Sequence, residues 1–256
     1  MRISRVCLGW MMAAAVPALA AAQTPAPAPA PSQAPTAAPA PTAQAKPSEA
    51  EDKDRTVAGG GITAAGWTGK VDAKGTAAGL TVKDSKFEQK ADTLHLTIGP
   101  ATTYWNPANT AKGDYTVKGT FTEPKQDFSH PHPMGLFIGG SKLGTPEQSL
   151  MYCVAYRNGT FLIRRFNGDT VTNVVPRTPN DAIKKAATKD DSVTQEIAWV
   201  VKGGNADCVI NGATVASLKA ADIVGPGKLE STDGIWGIRV SHNMDLTVSK
   251  LAAAKN

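Results

Sequence analysis

The amino-acid sequence predicts an all-β protein in which two antiparallel sheets form a jelly-roll sandwich, with one or two short helices. Apolar and polar residues alternate along most of the chain after Val57, as they do in strands with one buried face. Asn-Gly and Gly-Gly pairs, which favour tight turns, interrupt these runs at short intervals, and helical periodicity is scarce. Residues 57–256 are expected to form one domain of about 200 residues around a single core.

The strands are predicted from side-chain alternation, because successive side chains of a strand point to opposite faces. In Thr93–Ile98, the apolar side chains of Leu94, Leu96 and Ile98 share one face. The same two-residue period runs through three further segments, at residues 115–121, 196–201 and 236–240. Each of these strands is expected to cover the core with one face.

Two hairpins are predicted from Asn-Gly pairs, since both central residues of a type I′ turn need a positive φ. Asn211-Gly212 lies between residues 207–210 and 214–217, and Asn158-Gly159 lies between residues 150–156 and 161–166. Helix is predicted in two places. One is the Ala- and Lys-rich stretch Asp181–Thr188, and the other is a single turn near Lys219–Ile223.

The N-terminal part of the chain predicts export. In residues 1–22, Arg2 and Arg5 precede an apolar run that ends in small residues, which is the pattern of a cleaved signal peptide. Residues 23–56 are a Pro/Ala-rich linker that is expected to be disordered, and it serves either as a spacer or as a passive tail. No later segment is apolar enough to span a membrane, so a periplasmic or secreted protein is expected.

The charge of the chain argues against nucleic acid as a partner. Its 27 Lys and Arg residues and 22 Asp and Glu residues give a formal net charge of +5. This excess is small and dispersed, whereas nucleic-acid-binding domains concentrate basic residues on one face or one helix.

The closing half of the chain carries five short strand and turn patterns. They are Val200-Val201-Lys202, Ile210-Asn211-Gly212, Gly227-Lys228-Leu229, Gly234-Ile235-Trp236-Gly237-Ile238 and Leu246-Thr247-Val248. These patterns resemble concanavalin A-like lectin/glucanase jelly rolls over about Asp114 to Leu251. They are similar to exported bacterial domains of unknown function grouped with sugar hydrolases of the 3-keto-disaccharide hydrolase type. The resemblance implies the fold and not one activity, because this fold hosts lectins, hydrolases and adhesion modules.

A glucanase of this fold needs two carboxylates on alternating positions of one strand, so that both side chains point the same way. No such strand is found. Glu196 stands alone between apolar residues, and Asp190-Asp191 falls in a predicted loop. This chemistry is therefore disfavoured, although another hydrolytic chemistry stays open.

The most unusual stretch is Ser129–Pro133, in which His130 and His132 alternate with prolines. Residues before proline favour extended backbone, so both imidazoles are expected to point to one side. Such a pair suits contact with a ligand or a metal, and the alternative is a rigid lead-in whose histidines bond neighbouring backbone. No Cys or carboxylate lies nearby at ligand spacing, so neither a metal nor another cofactor is expected.

Other polar and aromatic residues lie at predicted strand ends, where loops deliver contacts. His242 and Asn243 follow the strand that ends at Val240, and Trp105 and Asn106 lie in a predicted loop. Trp105 either stacks on a sugar ring or closes one end of the sandwich.

Arg164 and Arg165 are adjacent in one strand, so they point to opposite faces. A planar guanidinium with five donors suits sugar hydroxyls or a carboxylate, and the alternative is a cross-strand ion pair or a solvated edge. The alternation of side chains along the strand does not show which of the two arginines faces a groove, and Arg164 is taken as the candidate.

Cys153 and Cys208 both lie in predicted strands, and an exported protein permits a disulfide between them. The alternative is two small buried thiols.

These observations lead to the hypothesis of an exported carbohydrate-binding, lectin-like sandwich whose partner is a glycan or cell-envelope polysaccharide. The alternatives are a glycan-processing hydrolase and a non-enzymatic structural or interaction module. The residues expected to line a common groove are Trp105, Asn106, His130, His132, Arg164, His242 and Asn243.

Overall fold

The structure is a computed structural model that describes residues 53–125 and 131–256. The predicted signal peptide, most of the predicted linker and His130 lie outside these residues. Within them, strands dominate and pack as two sheets, so the predicted all-β sandwich is confirmed.

The elements of the described residues are mostly short strands joined by tight turns. The helices are α1 (Ala73–Ala77) and α2 (Ala220–Ile223), with one 3₁₀ turn at Val82–Asp84. In chain order the strands are β1 (Gly61–Ile62), β2 (Thr68–Val71), β3 (Lys86–Lys90), β4 (Thr93–Thr97), β5 (Thr102–Ala111), β6 (Tyr115–Glu123), β7 (Pro133–Ser141), β8 (Ser149–Tyr156), β9 (Thr160–Asn167), β10 (Thr170–Pro179), β11 (Val193–Lys202), β12 (Asn205–Ile210), β13 (Ala213–Lys219), β14 (Gly234–Val240) and β15 (Asp245–Lys255).

Over residues 53–125 and 131–256, these strands form an eight-stranded and a seven-stranded sheet. The eight-stranded sheet has the order β1-β3-β4-β15-β6-β11-β12-β13, and the seven-stranded sheet has the order β10-β9-β8-β7-β14-β5-β2. In this part of the chain the short β1–β3 pair is parallel and the other pairs are antiparallel. Neither α-helix, of five and four residues, is long enough to cross a bilayer, and no other helix of the described residues is.

The main core lies between the two sheets. Trp199 of β11 is fully buried there, and its indole Nε1 donates a hydrogen bond to the carbonyl oxygen of Leu136 on β7 at 3.0 Å. A disulfide between Cys153 of β8 and Cys208 of β12 is a second link between the sheets. A hydrogen bond and a covalent bond therefore join the two layers within a core of buried apolar side chains.

The seven-stranded sheet is apolar on both faces. Its inner face, which is turned toward the other sheet, carries side chains such as Met151 and Cys153 of β8. Its other face, called here the outer face, carries a second buried cluster that contains Tyr152 and Val154 of the same strand. The members of this cluster are Trp105, Phe137, Leu150, Tyr152, Val154, Tyr156, Leu162 and Phe166.

The predicted strands and both predicted hairpins are confirmed. Leu94, Leu96 and Ile98 are buried on one face, as alternation requires. At the β12–β13 turn, Asn211 and Gly212 have φ values of 52° and 83°, which is the left-handed conformation that made the Asn-Gly pair informative. The turn of helix expected near Lys219–Ile223 is α2.

The helix predicted at Asp181–Thr188 is wrong, because this segment forms turns and one isolated bridge between Lys185 and Asn158. The Ile183 N–H donates to the Asn180 carbonyl within a local turn, whereas other backbone groups of the segment bond to residues distant in the sequence. The side-chain amide of Gln195 accepts from the Lys184 N–H and donates to the Lys184 carbonyl, and the Ala186 N–H donates to the carbonyl of Arg157. These long-range bonds outweigh the helical preference of Ala and Lys.

The loop predicted at Tyr104–Pro107 is also wrong, because these residues belong to β5. Tyr104 lies on the inner face, where its ring stacks on Phe87 with centroids 4.7 Å apart, and Trp105 lies on the outer face. Both faces are buried, so the alternation that marks a strand is missing from this part of the sequence.

Candidate functional site

His132 and His242 lie against each other where β7 begins and β14 has ended. Their rings stack with centroids 4.3 Å apart and an angle of 10° between planes. His132 Nδ1 lies 2.5 Å from the carbonyl oxygen of His242, and His242 Nδ1 lies 2.7 Å from Asp54 Oδ1. The two imidazoles therefore contact the backbone of the β14–β15 turn and a residue of the N-terminal segment.

Asn243 holds the same N-terminal segment, Lys53–Arg55, which we call the N-terminal strap. Its side-chain oxygen accepts from the Arg55 N–H at 2.8 Å, and its amide nitrogen donates to the Lys53 carbonyl at 2.9 Å. The Arg55 guanidinium pairs with Asp245 at 2.8 Å. The strap is part of the sequence assigned to the linker, and it is bound to the domain through residues 242–245.

The structure brings three of the predicted site residues, His132, His242 and Asn243, together. His132 contacts His242, and His242 and Asn243 contact the strap. His130, the remaining member of the proposed pair, lies outside the described residues.

Trp105 and Asn106 lie elsewhere, on β5. Trp105 is 6% exposed because the β7–β8 loop covers its ring. A Cβ built on Gly144 of this loop would lie 3.5 Å from the Trp105 ring. The Asn106 side chain accepts from the Ala108 N–H at 3.0 Å, which is a local backbone contact. Trp105 therefore packs under a loop in this structure, and it presents no open stacking face.

Of the two adjacent arginines, Arg164 lies on the outer face of the seven-stranded sheet. It shares the parity of Leu162 and Phe166, which belong to the outer-face cluster. Arg165 has the parity of Phe161 and Ile163, which belong to the core between the sheets. The expected groove is thus divided, and among the described candidates Arg164 lies in an open pocket of the outer face.

The outer-face pocket lies beside a row of paired residues in the seven-stranded sheet. Strand pairing places Arg239, Gly135, Val154 and Leu162 side by side on β14, β7, β8 and β9. A Cβ at Gly135 would lie 2.1 Å from the carbonyl oxygen of Cys153, so the sheet admits no other residue there without shifting. The pocket is a cavity of about 120 Å³, lined by Pro133, Tyr152, Val154, Tyr156, Leu162, Arg164, Arg239 and Ser241.

Arg239 is the buried cation of this pocket. Its guanidinium forms a two-pronged pair with Asp72, at 2.6 Å and 2.5 Å, and lies 5.3 Å from the ring centres of Tyr152 and Phe166. Burial alone would lower the pKa of Arg239, but the Asp72 carboxylate and Tyr152 hold that pKa above its usual value. Arg239 therefore stays charged and supports both rings from one side.

Tyr156 forms the opposite side of the pocket. It is 8% exposed, and the guanidinium carbon of Arg177 on β10 lies 3.9 Å from the centre of its ring. Burial raises the pKa of Tyr156, while the nearby positive charges of Arg177 and Arg164 lower it, and the net shift is upward. Its hydroxyl is consequently protonated at neutral pH and is available as a hydrogen-bond donor.

Sequence reasoning missed Tyr152, Tyr156 and Arg239. All eight residues of β8 are buried, so the strand reads as uniform core, and nothing distinguishes its two faces. The available signal was parity: the two tyrosines are four residues apart and share the face of Leu150, while Arg239 is a charged residue within an otherwise apolar strand.

Two larger cavities are less suited to sugars. One of about 660 Å³ lies between Lys142, Ser149, Asn167 and residues 225–230, and the described residues that line it include no aromatic ring. Another of about 580 Å³ is lined by Tyr115 with Ala253 and Ala254, and the Tyr115 hydroxyl donates to the carbonyl of Thr232 at 2.5 Å. The smaller outer-face pocket alone among these three combines two tyrosines with charged donors.

A buried ion pair holds the segment after β10 in place. Glu123, at the end of β6, lies 3.5 Å from Arg157, and the Arg157 guanidinium also donates to the carbonyls of Thr188, Lys189 and Asp191. Burial raises the pKa of Glu123 to about 7, although the charge of Arg157 acts to lower it. The carboxyl is therefore half protonated near neutral pH.

Because the pKa of Glu123 is raised from 4.5 to about 7, the folded state binds a proton more tightly than the unfolded state. This contribution to stability is complete below pH 4.5 and is lost as the pH rises through 7. We expect the free energy of unfolding to fall by about 3 kcal/mol across this window, and Glu123→Gln to remove most of that fall. Urea unfolding at pH 5 and pH 7.5 measures it. Glu196→Gln, at an exposed position of β11, is the control, and an equal pH slope in Glu123→Gln and wild type would contradict the assignment.

Several solved structures are similar to this fold. The carbohydrate-binding module CBM66 of Bacillus subtilis has a TM-score of 0.50 and 8% identity, covering 76% of this chain and 99% of its own. A Bacillus subtilis protein of unknown function with a galectin-like fold has a TM-score of 0.48 and 16% identity, and the match covers 74% of this chain and 89% of that protein. The endo-β-1,3-glucanase of Pyrococcus furiosus has a TM-score of 0.47 and 11% identity, and the match covers 75% of this chain and 88% of the glucanase. No protein-family model and no curated protein matches the sequence.

At these identities the similarity concerns the fold alone. The two packed sheets of the described residues and the similarity to CBM66 over nearly the whole of that module agree with the resemblance seen in the sequence. The chain therefore has a two-sheet jelly-roll fold similar to that of the CBM66 module.

Proposed function

We propose that the protein is an exported carbohydrate-binding domain and that the outer-face pocket is its glycan site. The observation that carries the proposal is the convergence of Tyr152 and Tyr156 with Arg164 and Arg239 around one open cavity. The CBM66 module, which shares the fold, is itself described as carbohydrate-binding.

The chemistry of the pocket suits part of a sugar ring. A pyranose presents an apolar C–H surface and a rim of hydroxyls, so its sites combine aromatic side chains with a few well-placed polar groups. Tyr152 and Tyr156 line the pocket with largely buried aromatic side chains, and the arginines supply hydrogen-bond donors. Arg239 is held rigid by Asp72, which reduces the side-chain entropy lost on binding.

Binding is favoured over hydrolysis. Glycoside hydrolysis usually requires two carboxylic side chains flanking the scissile bond. The described residues that line the pocket include no Asp or Glu, and Asp72 is engaged by Arg239. The described residues that line this pocket therefore offer contacts for a sugar without a pair of carboxylic side chains.

Export is the part of the proposal that rests on the N-terminal sequence. Residues 1–22 have the pattern of a signal peptide, and the Cys153–Cys208 disulfide supports an oxidising compartment such as the periplasm or the exterior. A cell-envelope or extracellular glycan is the ligand class that such a protein would meet.

A glycan array followed by calorimetric titration tests the proposal. We expect Tyr156→Ala to weaken binding of the best array ligand by about tenfold, the loss of one well-packed aromatic contact. Tyr156→Phe separates the ring from its hydroxyl, and Tyr115→Phe, outside the pocket, is the matched control that should bind as wild type does. Binding that is unchanged in Tyr156→Ala, or the absence of any ligand for a correctly folded wild type, would overturn the proposal.

A further inference from the structure

We infer that the outer-face pocket selects acidic saccharides, whose rings carry a carboxylate or sulfate, over neutral saccharides of the same shape. This inference rests on the proposed function and adds the class of ligand. It is carried by the arginines around Tyr156 and by the way in which their guanidinium groups are held.

Three arginines surround the two tyrosines of the pocket. Arg164 and Arg239 line the cavity, and the guanidinium of Arg177 lies over the ring of Tyr156. Asp72 neutralises Arg239. Within residues 53–125 and 131–256, neither Arg164 nor Arg177 pairs with a carboxylate, so the pocket keeps an excess of positive charge.

Arg164 and Arg177 are both oriented through Nε. Arg164 Nε donates to Asn173 Oδ1 at 2.7 Å, and Arg177 Nε donates to Thr160 Oγ1 at 2.8 Å. The structure gives their terminal Nη groups no hydrogen bond to another described residue. A guanidinium fixed at Nε still presents its two terminal nitrogens as a planar fork, which is the geometry that binds a carboxylate or sulfate through two hydrogen bonds.

The volume of the outer-face pocket limits the size of the ligand group that can enter it. About 120 Å³ is the volume of roughly four water molecules at ~30 Å³ each, which suits one substituent of a sugar ring and not a whole oligosaccharide. The remainder of the glycan would lie along the outer face toward β10, whose residues are largely exposed. A charged ring substituent is thus the group that the pocket is built to distinguish.

A neutral ring and an acidic ring differ in what they do to these arginines. Either one removes water from the guanidinium groups, which costs free energy unless another charge compensates. A carboxylate or sulfate provides that compensation through charge-assisted hydrogen bonds, and a neutral hydroxyl provides less. The preference should therefore weaken as salt is added, because salt screens partly exposed charges.

The experiment compares uronic-acid oligosaccharides with their methyl esters, which have the same ring and linkage without the charge. Sulfated saccharides and their unsulfated parents form a second arm that separates the two anions. For wild type, calorimetry at low salt is expected to give at least about tenfold tighter binding of the acid than of the ester. The ratio of the two affinities should fall toward one in Arg164→Gln and in Arg177→Gln.

Arg165→Gln is the matched control, since it removes the same charge from the same strand on the opposite face. It should leave the acid-to-ester ratio unchanged, and the melting temperature of each variant reports whether it has folded. Arg177 is exposed at the sheet edge, so its variant tests the inference even where Arg164→Gln is unstable.

The outcomes separate the two proposals. Equal binding of acid and ester by wild type, or an unchanged ratio in folded Arg164→Gln and Arg177→Gln, overturns the selectivity and leaves carbohydrate binding standing. Failure of every saccharide, acidic or neutral, to bind the folded wild type overturns both. Tight binding in the sulfate arm alone supports an anion-selective pocket and identifies sulfate as the group it takes.

Discussion

Replacing Asp72 with alanine is expected to lower the free energy of unfolding by about 3 kcal/mol. Asp72 is the carboxylate partner of Arg239, which is 8% exposed and lies among Tyr152, Phe166 and Thr103. Removing one member of a buried ion pair leaves the other charge buried without compensation, which typically costs 3–5 kcal/mol. The lower end of this range applies because the Asp72 side chain is 25% exposed.

Urea denaturation measures the effect, and the chain provides a control of similar chemistry. Asp169 pairs with Lys70 at 3.2 Å on the surface, so Asp169→Ala should cost less than about 1 kcal/mol. The double variant Asp72→Ala/Arg239→Met removes both charges and should recover much of the stability lost in Asp72→Ala. Similar losses in Asp72→Ala and Asp169→Ala would show that the Arg239 pair is not functioning as a buried one.

Loss of the Cys153–Cys208 disulfide is expected to lower the free energy of unfolding by about 4 kcal/mol. The two cysteines are 55 residues apart, and closing a loop of this length restricts the unfolded chain by about that amount in the chain-entropy model. Cys153→Ala/Cys208→Ala compared with wild type gives the difference. The same denaturation with and without reductant gives an independent value.

The bond also reports the compartment in which the protein folds. Thiol labelling of protein produced with and without residues 1–22 should find both cysteines blocked in the first case and free in the second, because cytosolic thiols are kept reduced. Oxidised cysteines in both preparations would remove the support that the disulfide gives to export. A double alanine variant as stable as wild type would instead show that the cross-link does not restrict the unfolded chain.

The sequence predicted those strands that have one buried face and one solvent-exposed face. Leu94, Leu96 and Ile98 illustrate this, since their polar neighbours made the two-residue period visible. The Asn-Gly turn predicted β8, but all eight residues of that strand are buried, so Tyr152 and Tyr156 could not be separated from ordinary core residues. The pocket lies on the second apolar face of the seven-stranded sheet. Because both faces of this sheet are apolar, the sequence shows no alternation of polar and apolar residues there.

Long-range partners are a second feature that local sequence does not reveal. His242 and Asn243 are polar residues at a strand end, which predicts a groove, and their partners in the strap are up to 190 positions away in the sequence. Local composition likewise favoured a helix at Asp181–Thr188, but Gln195 and Arg157 bind the backbone of that segment from other elements. Neither set of contacts can be predicted from the local sequence, because the partners lie far away along the chain.

The N-terminal strap determines where a mechanical load would enter the domain. A pull transmitted from the chain before Lys53 is borne first by the bonds to residues 242–245, which join the interior strands β14 and β15. Without those bonds the load would reach β1 and β2 first, and each of these is the outermost strand of its sheet. The strap thus delivers tension to the turn between two interior strands before it reaches the outermost strands of either sheet.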